Sequence, residues 1–416
     1  MLLSPGRNTA VGHEVARREQ PGLRERRIAV GALGVVQILS WGTSYYLPAI
    51  LVAPIMLDTG WSATWVTGGL SAGLLTAASI SPAVSRAIVR FGGRNVLAGA
   101  SAFLASGLLT MSLSTSLTSF MLGWILMGCG MAAGLYDAAF ATLGELFGAS
   151  ARRSISALTL YGGFASTVCW PLSAFLIAEG GWRFACLAYA LVHLLICAPL
   201  LFACVPLKAN AAPLRSDDPP PERRAVDEPA FLMLSAALCV SAFVSSMIAV
   251  QLLTLLQAAG ASLATAVALG MLIGPAQVAA RIVEMFFGKI CHPLWTMLAS
   301  SLLMTTGLAL FGMGHALGAA ALILYAAGNG VWSISRGSVP LALFGAPAYS
   351  ANMGRLVRPA LLASACAPLL AGWIYEHGGL AMSRLTLLAL SALTLLIVIG
   401  LFIATRKHRL QDGATG

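Results

Sequence analysis

The chain has 416 residues, of which 58% are hydrophobic and only 10% are charged, and its mean hydropathy is +0.84. A soluble domain carries roughly 25% charged residues, so this chain has too few to cover a surface in water. The composition excludes a soluble protein and indicates one that lies largely in a bilayer.

Apolar stretches follow one another along the chain, and each has about the twenty residues that a helix needs to cross the hydrocarbon core. They predict an all-α membrane protein with twelve transmembrane helices. The predicted spans are 28–50, 64–84, 95–113, 117–140, 155–178, 184–205, 230–253, 262–283, 293–313, 317–334, 356–375 and 385–404.

The basic residues lie on one side of these spans. With an even number of spans, both termini share a side, and all but Arg183 and Arg384 of the 25 Lys and Arg residues fall there. Positive charge marks the cytoplasmic face, so we expect both termini in the cytoplasm and the chain in a bacterial inner membrane. The net charge of +10 then reflects topology, and nucleic-acid binding is not expected.

One long polar segment, 206–229, interrupts the apolar pattern near the middle of the chain. Its prolines and mixed charges are typical of a flexible linker. We therefore expect six helices on each side of it. The predicted organisation is a cytoplasmic tail 1–27, a bundle 28–205, the linker 206–229, a second bundle 230–404 and a tail 405–416.

The two predicted bundles resemble each other in sequence. Cys169-Trp-Pro171 in span five corresponds to Cys366-Ala-Pro368 in span eleven, and Gly128-x-Gly130 in span four to Gly328-x-Gly330 in span ten. These matches indicate a duplicated six-helix unit. Because six is even, both copies enter the membrane from the same side, which is typical of transporters whose halves rock around a central cavity.

The loop after span two carries the motif of a known family. Its sequence resembles the pattern G-x-x-x-D-[RK]-x-G-[RK]-[RK] of the major facilitator superfamily, with matches at Arg90, Gly92 and Arg94 and departures at Ser85 and Val89. The resemblance covers almost the whole chain. It implies a twelve-span transporter in which this loop takes part in the conformational change.

Two further segments carry the resemblance. Gly181-Trp-Arg-Phe184 enters span six, and Asp58-Thr-Gly-Trp61-Ser62 precedes span two in a way that is similar to the monocarboxylate and oxalate/formate branches. The antiporter signature of the fifth span is reduced to Pro171 and its surroundings. The branch likeness does not specify a substrate.

Family members line the central cavity with spans one, four, seven and ten, so polar and aromatic groups there are candidate substrate contacts. Aromatic rings stack on flat molecules and donate hydrogen bonds, whereas amides bind polar groups in either orientation. Interfacial anchoring and helix-to-helix bonding are the alternatives. The candidate cavity residues are Trp41, Thr43, Tyr45, Tyr46, Tyr136, Gln251, Asn329 and Trp332.

Asp137 is the one acid inside a predicted span, beside Tyr136. An acid at that depth is a candidate for proton coupling. We predict that Asp137, Arg281, Glu284 and Arg336 form a charged latch that closes the cytoplasmic side. The alternative is that each is a solvated residue at a helix end.

These features favour a secondary transporter that moves a small organic molecule by alternating access, with protons as a candidate coupling partner and either direction open. The alternative is an efflux pump for a toxic compound or a soft metalloid such as arsenite, because thiols such as Cys169 and Cys366 select soft ions. A channel, a receptor and a lipid-modifying enzyme are less favoured classes. We expect a monomer in the lipid bilayer without cofactor, metal or enzymatic activity, and no Walker A motif for ATP occurs.

Overall fold

The computed structural model describes residues 23–147, 151–207, 228–287, 292–311 and 318–412, and the regular structure within these ranges is helical. Most of the predicted N-terminal tail, the end of the C-terminal tail and nearly all of the predicted linker 206–229 lie outside the described residues. The all-α prediction is confirmed for the part of the chain that the structure covers.

The helices of the first half are interrupted at several positions, two of which are next to Pro48 and at Gly181. Pro48 opens the second helix after a turn at 43–47, because its ring favours the first helical position and has no N–H to lose. Gly181, with φ of +78°, separates crossings five and six within one helical run. In chain order the helices are α1 Leu23–Gly42, α2 Pro48–Thr59, α3 Ala63–Phe91, α4 Gly93–Ser112, α5 Leu117–Gly134, α6 Tyr136–Phe147, α7 Ala151–Gly163, α8 Ala165–Val192, the π-helix His193–Cys197 and α9 Ala198–Cys204.

The second half repeats this pattern and ends in one long helical run. The run has 95 residues, and a straight helix of that length would extend roughly 140 Å, several times the thickness of a bilayer. It must fold back, because the neighbouring residues Ser245 and Ser246 bond to Asn329 and Ser364, which lie far apart along it. The helices are α10 Glu228–Ala258, α11 Leu263–Gly270, α12 Ile273–Phe287, α13 Pro293–Phe311 and α14 Gly318–Asp412.

The helix lengths agree with twelve crossings. Eight stretches of the described residues are long and apolar enough to span a membrane, and two of them, Ala157–Cys204 and Arg358–Thr405, have 48 residues, which suffices for two crossings each. The broken pair α1–α2 and the start of α14 provide the other two predicted crossings. The protein is therefore a polytopic helical membrane protein.

The buried apolar residues form separate cores for the two halves. Two clusters belong almost entirely to residues up to Val205, and a third to residues from Ala230 onward. The third cluster also includes Ala49, Ile50 and Trp170, so the halves meet along α2 and α8. The bundle has two ends, and we call the end where α1 begins the N-terminal face and the end where α2 finishes the opposite face.

Candidate functional site

Aromatic side chains from the interrupted first and fourth crossings meet inside the bundle. The ring of Trp41 lies 4.9 Å from that of Tyr136 and 5.4 Å from that of Tyr45, and Tyr45 lies 5.3 Å from Tyr46. Tyr136 in turn stacks on Phe140 at 5.1 Å. We call Trp41, Tyr45, Tyr46, Tyr136 and Phe140 the aromatic cluster. The structure thus brings together four of the predicted cavity residues.

The two helix interruptions are joined by a residue that sequence reasoning missed. Gln37 is fully buried and donates from Nε2 to the carbonyl oxygen of Gly134 at 2.7 Å, while its Oε1 accepts from Trp41 Nε1 at 3.1 Å. The end of α5 before Leu135 leaves carbonyl groups without helical partners. Gln37 therefore satisfies one of them and orients Trp41. The available signal was an amide one turn before Trp41 in an otherwise apolar stretch.

Tyr136 is held by the backbone of the fifth crossing. Its hydroxyl donates to the carbonyl oxygen of Thr159 at 3.3 Å. Gly162, one turn further along α7, leaves the space that the phenol occupies, because a Cβ there would lie 2.7 Å from the ring carbon Cζ. A glycine is thus required for close approach at this position.

Arg281 reaches the same carbonyl from the second half. Its Nη1 donates to Thr159 O at 2.9 Å and its Nε to Gly330 O at 3.2 Å, so it links α7 to α12 and α14. Both acceptors are neutral, and among the described residues no carboxylate forms an ion pair with Arg281. A half-buried guanidinium without an acidic partner therefore lies beside Tyr136.

The second half adds further hydrogen-bond donors near the aromatic cluster. Ser245 donates to Asn329 Oδ1 at 3.1 Å, which leaves the Asn329 amide nitrogen available. The hydroxyl of Tyr325 is buried close to Tyr45 and has no hydrogen-bond partner by distance and angle among the described residues. Arg336 is exposed and lies on the same side of the bundle as Arg281. Donors thus predominate around this point, and Tyr325 and Ser245 are not among the predicted cavity residues.

Three of the predicted cavity residues face elsewhere. Thr43 is fully buried and lies 2.8 Å from Nε2 of His193 in the π-helix, so it bonds towards crossing six. Gln251 donates to the carbonyl oxygen of Ala371 and links α10 to α14. Trp332 is packed in the core of the second half. The structure does not place these three side chains at the aromatic cluster.

The predicted latch residues do not pair with one another in this conformation. Asp137 and Arg336 are both exposed, and Glu284 is half-buried. Within the described residues, the ion pair that forms is Asp58 with Arg183 on the opposite face. Arg281 instead bonds to the carbonyl groups described above.

The two halves are sealed together on the opposite face. Glu376 accepts hydrogen bonds from the backbone N–H and the hydroxyl of Thr64. Two turns deeper, the N–H of Leu369 donates to Ser71 Oγ at 3.1 Å. Between them, Gly372 packs so closely that a Cβ would lie 2.8 Å from Thr64 Cα. We call this contact between α3 and α14 the seal.

A cavity of about 230 Å³ lies beside the seal. Its wall is mostly apolar and comes from both halves of the chain. The aromatic cluster does not contribute to its lining, so this cavity is separate from the site described above. Residues that line it include Ala53, Met56, Thr67, Gln251, Thr254 and Tyr375.

Comparison with known proteins agrees with this architecture. The family model described as Major Facilitator Superfamily matches residues 33–357. The chain belongs to the Major Facilitator Superfamily. It is therefore a membrane transporter by family, which makes an enzyme the less favoured class. Among curated proteins, no sequence matches the chain significantly.

Solved structures of superfamily transporters share the fold at low sequence identity. A bacterial homolog to the human lysosomal transporter Spinster, in an inward-facing and occupied conformation, has a TM-score of 0.71 at 14% identity, covering 93% of this chain and 98% of that chain. Its inward-facing, unoccupied form has a TM-score of 0.67 at the same identity and coverage. A D-xylose-proton symporter has a TM-score of 0.66 at 16% identity, covering 90% and 96%.

The superfamily loop motif has a structural basis in this chain. Gly92 has φ of +81° and joins α3 directly to α4, a backbone conformation that L-residues rarely adopt. Arg90 lies over the ring of Phe91 at 5.1 Å and Arg94 over that of Phe202 at 5.8 Å. The motif residues thus build a sharp turn on the N-terminal face, with arginines packed on aromatic rings.

The cysteines that suggested a soft-metal site do not share an environment. Cys169 is buried against Gly42, whereas Cys366 is exposed. No group of three or more His, Cys, Asp or Glu side chains in the described part of the chain is arranged to hold a metal ion. The structure and the comparisons provide no support for metalloid efflux.

Proposed function

We propose that this superfamily member is a secondary active transporter for a small organic anion, which it moves by alternating access. The observation that carries the proposal is the charge of Arg281, which lies at the aromatic cluster without an acidic partner among the described residues. A half-buried charge is costly unless it is paired. A substrate carboxylate would supply the missing partner through a charge-assisted hydrogen bond from the free Nη2.

The surrounding groups favour the same substrate class. The Asn329 amide nitrogen, the Tyr325 hydroxyl and Arg336 are donors or positive charges that lack acceptors among the described residues. An anion accepts hydrogen bonds only, so it satisfies such a set, whereas a cation does not. The rings of Trp41 and Tyr136 offer faces on which a flat or apolar part of the substrate stacks.

The seal supports alternating access. It joins the halves on the opposite face through a few polar bonds and one glycine contact, while Asp137 and Arg336 are exposed towards the N-terminal face. We infer that the substrate site opens on the N-terminal face in this conformation. The basic residues favour the cytoplasm of a bacterial cell for that face and for both termini. The two halves that move are then the bundles 28–205 and 230–404.

We propose Asp137 as the coupling residue, because it follows Tyr136 directly and forms no ion pair within the described part of the chain. A protonatable acid next to the substrate site allows a proton to move together with an anion. Asp137→Asn is expected to keep exchange of labelled for unlabelled substrate but to lose accumulation driven by a pH gradient. Loss of both, or retention of both, would refute this role.

The substrate class is tested with matched pairs of carboxylates and amides. Purified protein in proteoliposomes is loaded with lactate, pyruvate, oxalate or benzoate, or with the corresponding neutral amides, and counterflow of the labelled compound is measured. We expect saturable counterflow for at least one acid and none for its amide. Counterflow of amides at equal rates would contradict the anion assignment, and absence of counterflow for every compound would contradict this proposed function.

Alternating access is tested without a substrate. The test pair is Thr115 and Leu385, two exposed residues on the opposite face that lie in different halves. The control pair is Thr115 and Glu179, which lie in the same half. Each pair is changed to cysteines in a variant whose native cysteines are replaced, and the introduced cysteines are spin-labelled. The distance distribution between the two labels is then measured in nanodiscs. We expect two populations for the first pair and one for the control pair. A single population for both would refute the rocking of the halves.

A further inference from the structure

Trp170 connects the aromatic cluster to the second half of the chain. It lies in α8 and is 1% exposed. Its indole Nε1 donates to the carbonyl oxygen of Tyr46 at 2.9 Å, and its ring lies 6.2 Å from the Tyr46 ring, edge to face. The six-membered ring of the same indole packs against Gly270 of α11. One side chain thus contacts both the aromatic cluster and the second half.

The bond to Tyr46 satisfies a carbonyl group that the helix interruption leaves open. In a continuous helix, the N–H of Ile50 would donate to Tyr46 O. Because the helix begins again at Pro48, this N–H donates to Leu47 O at 3.2 Å instead. The indole of Trp170 supplies the missing donor, and backbone carbonyl groups inside a bundle need one. It therefore holds the turn before Pro48, which carries two rings of the aromatic cluster.

The contact between Trp170 and the second half is close. A Cβ on Gly270 would overlap the indole, so only glycine fits there without a shift of the ring. One turn before Trp170, the hydroxyl of Thr167 donates to the carbonyl oxygen of Met271 at 2.9 Å. Met271 follows Gly270 directly, at the point where α11 ends. Crossing five is thus joined to crossing eight, which consists of α11 and α12, by a packing contact and a hydrogen bond.

We propose that Trp170 is a positioning residue that makes the geometry of the anion site depend on crossing eight of the second half. The indole contacts Gly270 and bonds to Tyr46, so a displacement of α11 shifts the turn that carries Tyr45 and Tyr46. These rings then take different positions in the different arrangements of the halves, and the affinity for the anion changes with them. The effect on affinity rests on the anion transport proposed above, whereas the contacts of Trp170 do not.

Gly270→Ala tests the link from the second half. The added methyl group would overlap the indole, so Trp170 and the turn at Tyr46 must shift. In counterflow of the acid identified above, we expect KM to rise at least about fivefold while kcat falls less than about twofold. Gly318→Ala, in the same half, is the control, because its Cβ would lie 3.9 Å from Leu269, which is an ordinary contact. An unchanged KM in Gly270→Ala would refute the link.

Trp170→Phe distinguishes this link from general damage to the protein. Phenylalanine lacks both the N–H donor and the ring atoms that the methyl group at position 270 would meet. Alone, Trp170→Phe should raise KM at least about fivefold, because Tyr46 O loses its donor. Adding Gly270→Ala should raise KM no further, since the smaller ring leaves room for the methyl group. Trp295→Phe, at an exposed tryptophan, is the control. Additive effects, or an unchanged KM in Trp170→Phe, would contradict the proposal.

The hydrogen bond of the indole is measured without a substrate. NMR of the protein in nanodiscs, with isotope-labelled tryptophan, shows one N–H signal for each indole, and the signal missing in Trp170→Phe belongs to Trp170. We expect this N–H to exchange with water at least about tenfold faster in Gly270→Ala than in the wild type, because its bond to Tyr46 O is broken. In Gly318→Ala it should exchange at the wild-type rate.

The NMR and counterflow results separate this inference from the proposed function. If the exchange rate of the Trp170 N–H is the same in Gly270→Ala as in the wild type, the link from Gly270 to Tyr46 is refuted, whatever is transported. If the rate rises but no acid shows counterflow in the wild type, the link stands and the assignment of an anion site is wrong.

Discussion

Arg281 Nη1 donates to the carbonyl oxygen of Thr159 at 2.9 Å, so a charged side chain of the second half is attached to the backbone of the first. Tyr136 donates to the same oxygen at 3.3 Å. The contact between the halves and the aromatic cluster therefore share one acceptor. This arrangement places the charge that we assign to substrate binding on an element that must move when the halves rock.

Two substitutions of Arg281 should distinguish the effect of its charge on transport from the effect of its hydrogen-bond geometry. Arg281→Gln removes the charge, and we expect counterflow of the identified acid to fall roughly tenfold or more, because a charge-assisted hydrogen bond contributes about 1.5–3 kcal/mol. Arg281→Lys keeps the charge but not the planar fork that reaches both carbonyl groups. It should keep the preference for acids over amides with a higher KM.

The control for these variants is Arg27→Gln, which removes an exposed arginine at the start of α1. It should leave both KM and the preference for acids unchanged. If Arg281→Gln transports the acid as well as the wild type does, the guanidinium does not bind the substrate.

Gly162→Ala should displace Tyr136. The added methyl group would collide with the phenol, and the ring would have to leave its contacts with Trp41 and Phe140. A misplacement of about 1 Å in a binding site costs up to roughly a hundredfold in rate, so we expect counterflow to fall at least about tenfold. Gly144→Ala is the matched control, because nothing lies within 4 Å of its Cβ position.

Both glycine variants should appear in the membrane in normal amounts. Wild-type transport by Gly162→Ala would show that the position of Tyr136 does not matter for function. A loss in Gly144→Ala as large as in Gly162→Ala would point to a general effect of alanine in these helices.

Gly92→Ala should destabilise the folded protein. Its φ of +81° and ψ of 146° fall in a region that is essentially restricted to glycine, and a residue with Cβ there costs about 1–3 kcal/mol. We expect a lower thermal melting temperature in detergent. Gly99→Ala in α4, which has open space at Cβ, should melt at or above the wild-type temperature. Equal melting of the two variants would contradict the strain argument.

Asp58 should contribute a small, pH-dependent stabilisation on the opposite face. It lies at the end of α2, beyond the first predicted span, and hydrogen bonds from Trp182 and Arg183 lower its pKa. A lowered pKa stabilises the fold above the unfolded value of about 3.9, and the effect is lost as the pH falls through the folded value. The pair is partly exposed, so the effect is small.

We therefore expect Asp58→Asn to melt slightly below the wild type at pH 7, with a difference that shrinks as the pH falls below about 4. Glu179→Gln, an exposed acid on the same face, is the control and should match the wild type at both pH values. A difference for Asp58→Asn that is constant with pH would mean that the carboxylate charge is not the cause.

The interruptions of the helices show which helix breaks a sequence pattern can predict and which it cannot. Two of the breaks coincide with residue types that constrain the local backbone, because Pro48 opens a helix and Gly181 separates two helices. The break at Leu135 has no such marker. It is stabilised by Gln37, which lies nearly a hundred residues earlier in the chain, so no local pattern reveals it.

Some residues of the aromatic cluster were predictable from the sequence, whereas the directions of their neighbours were not. The family resemblance predicts aromatic residues of spans one and four as cavity contacts, and the structure brings Trp41, Tyr45, Tyr46 and Tyr136 together. The same resemblance predicts Thr43 as a cavity contact, but Thr43 faces His193 instead. Which side of an all-apolar helix faces a cavity depends on its neighbours, because lipid and protein interior select the same side chains.

The sequence by itself determined that the chain spans a membrane through a series of apolar helices, because the thickness and polarity of a bilayer act on each segment separately. Only the tertiary structure decided that Arg281 shares an acceptor with Tyr136, that Glu376 closes on Thr64 and that Gln251 keeps a free carbonyl oxygen. Each of these depends on the packing of helices that are distant in the chain. Such contacts are selected by shape and by the need to satisfy buried polar groups, and neither is visible in the composition of one segment.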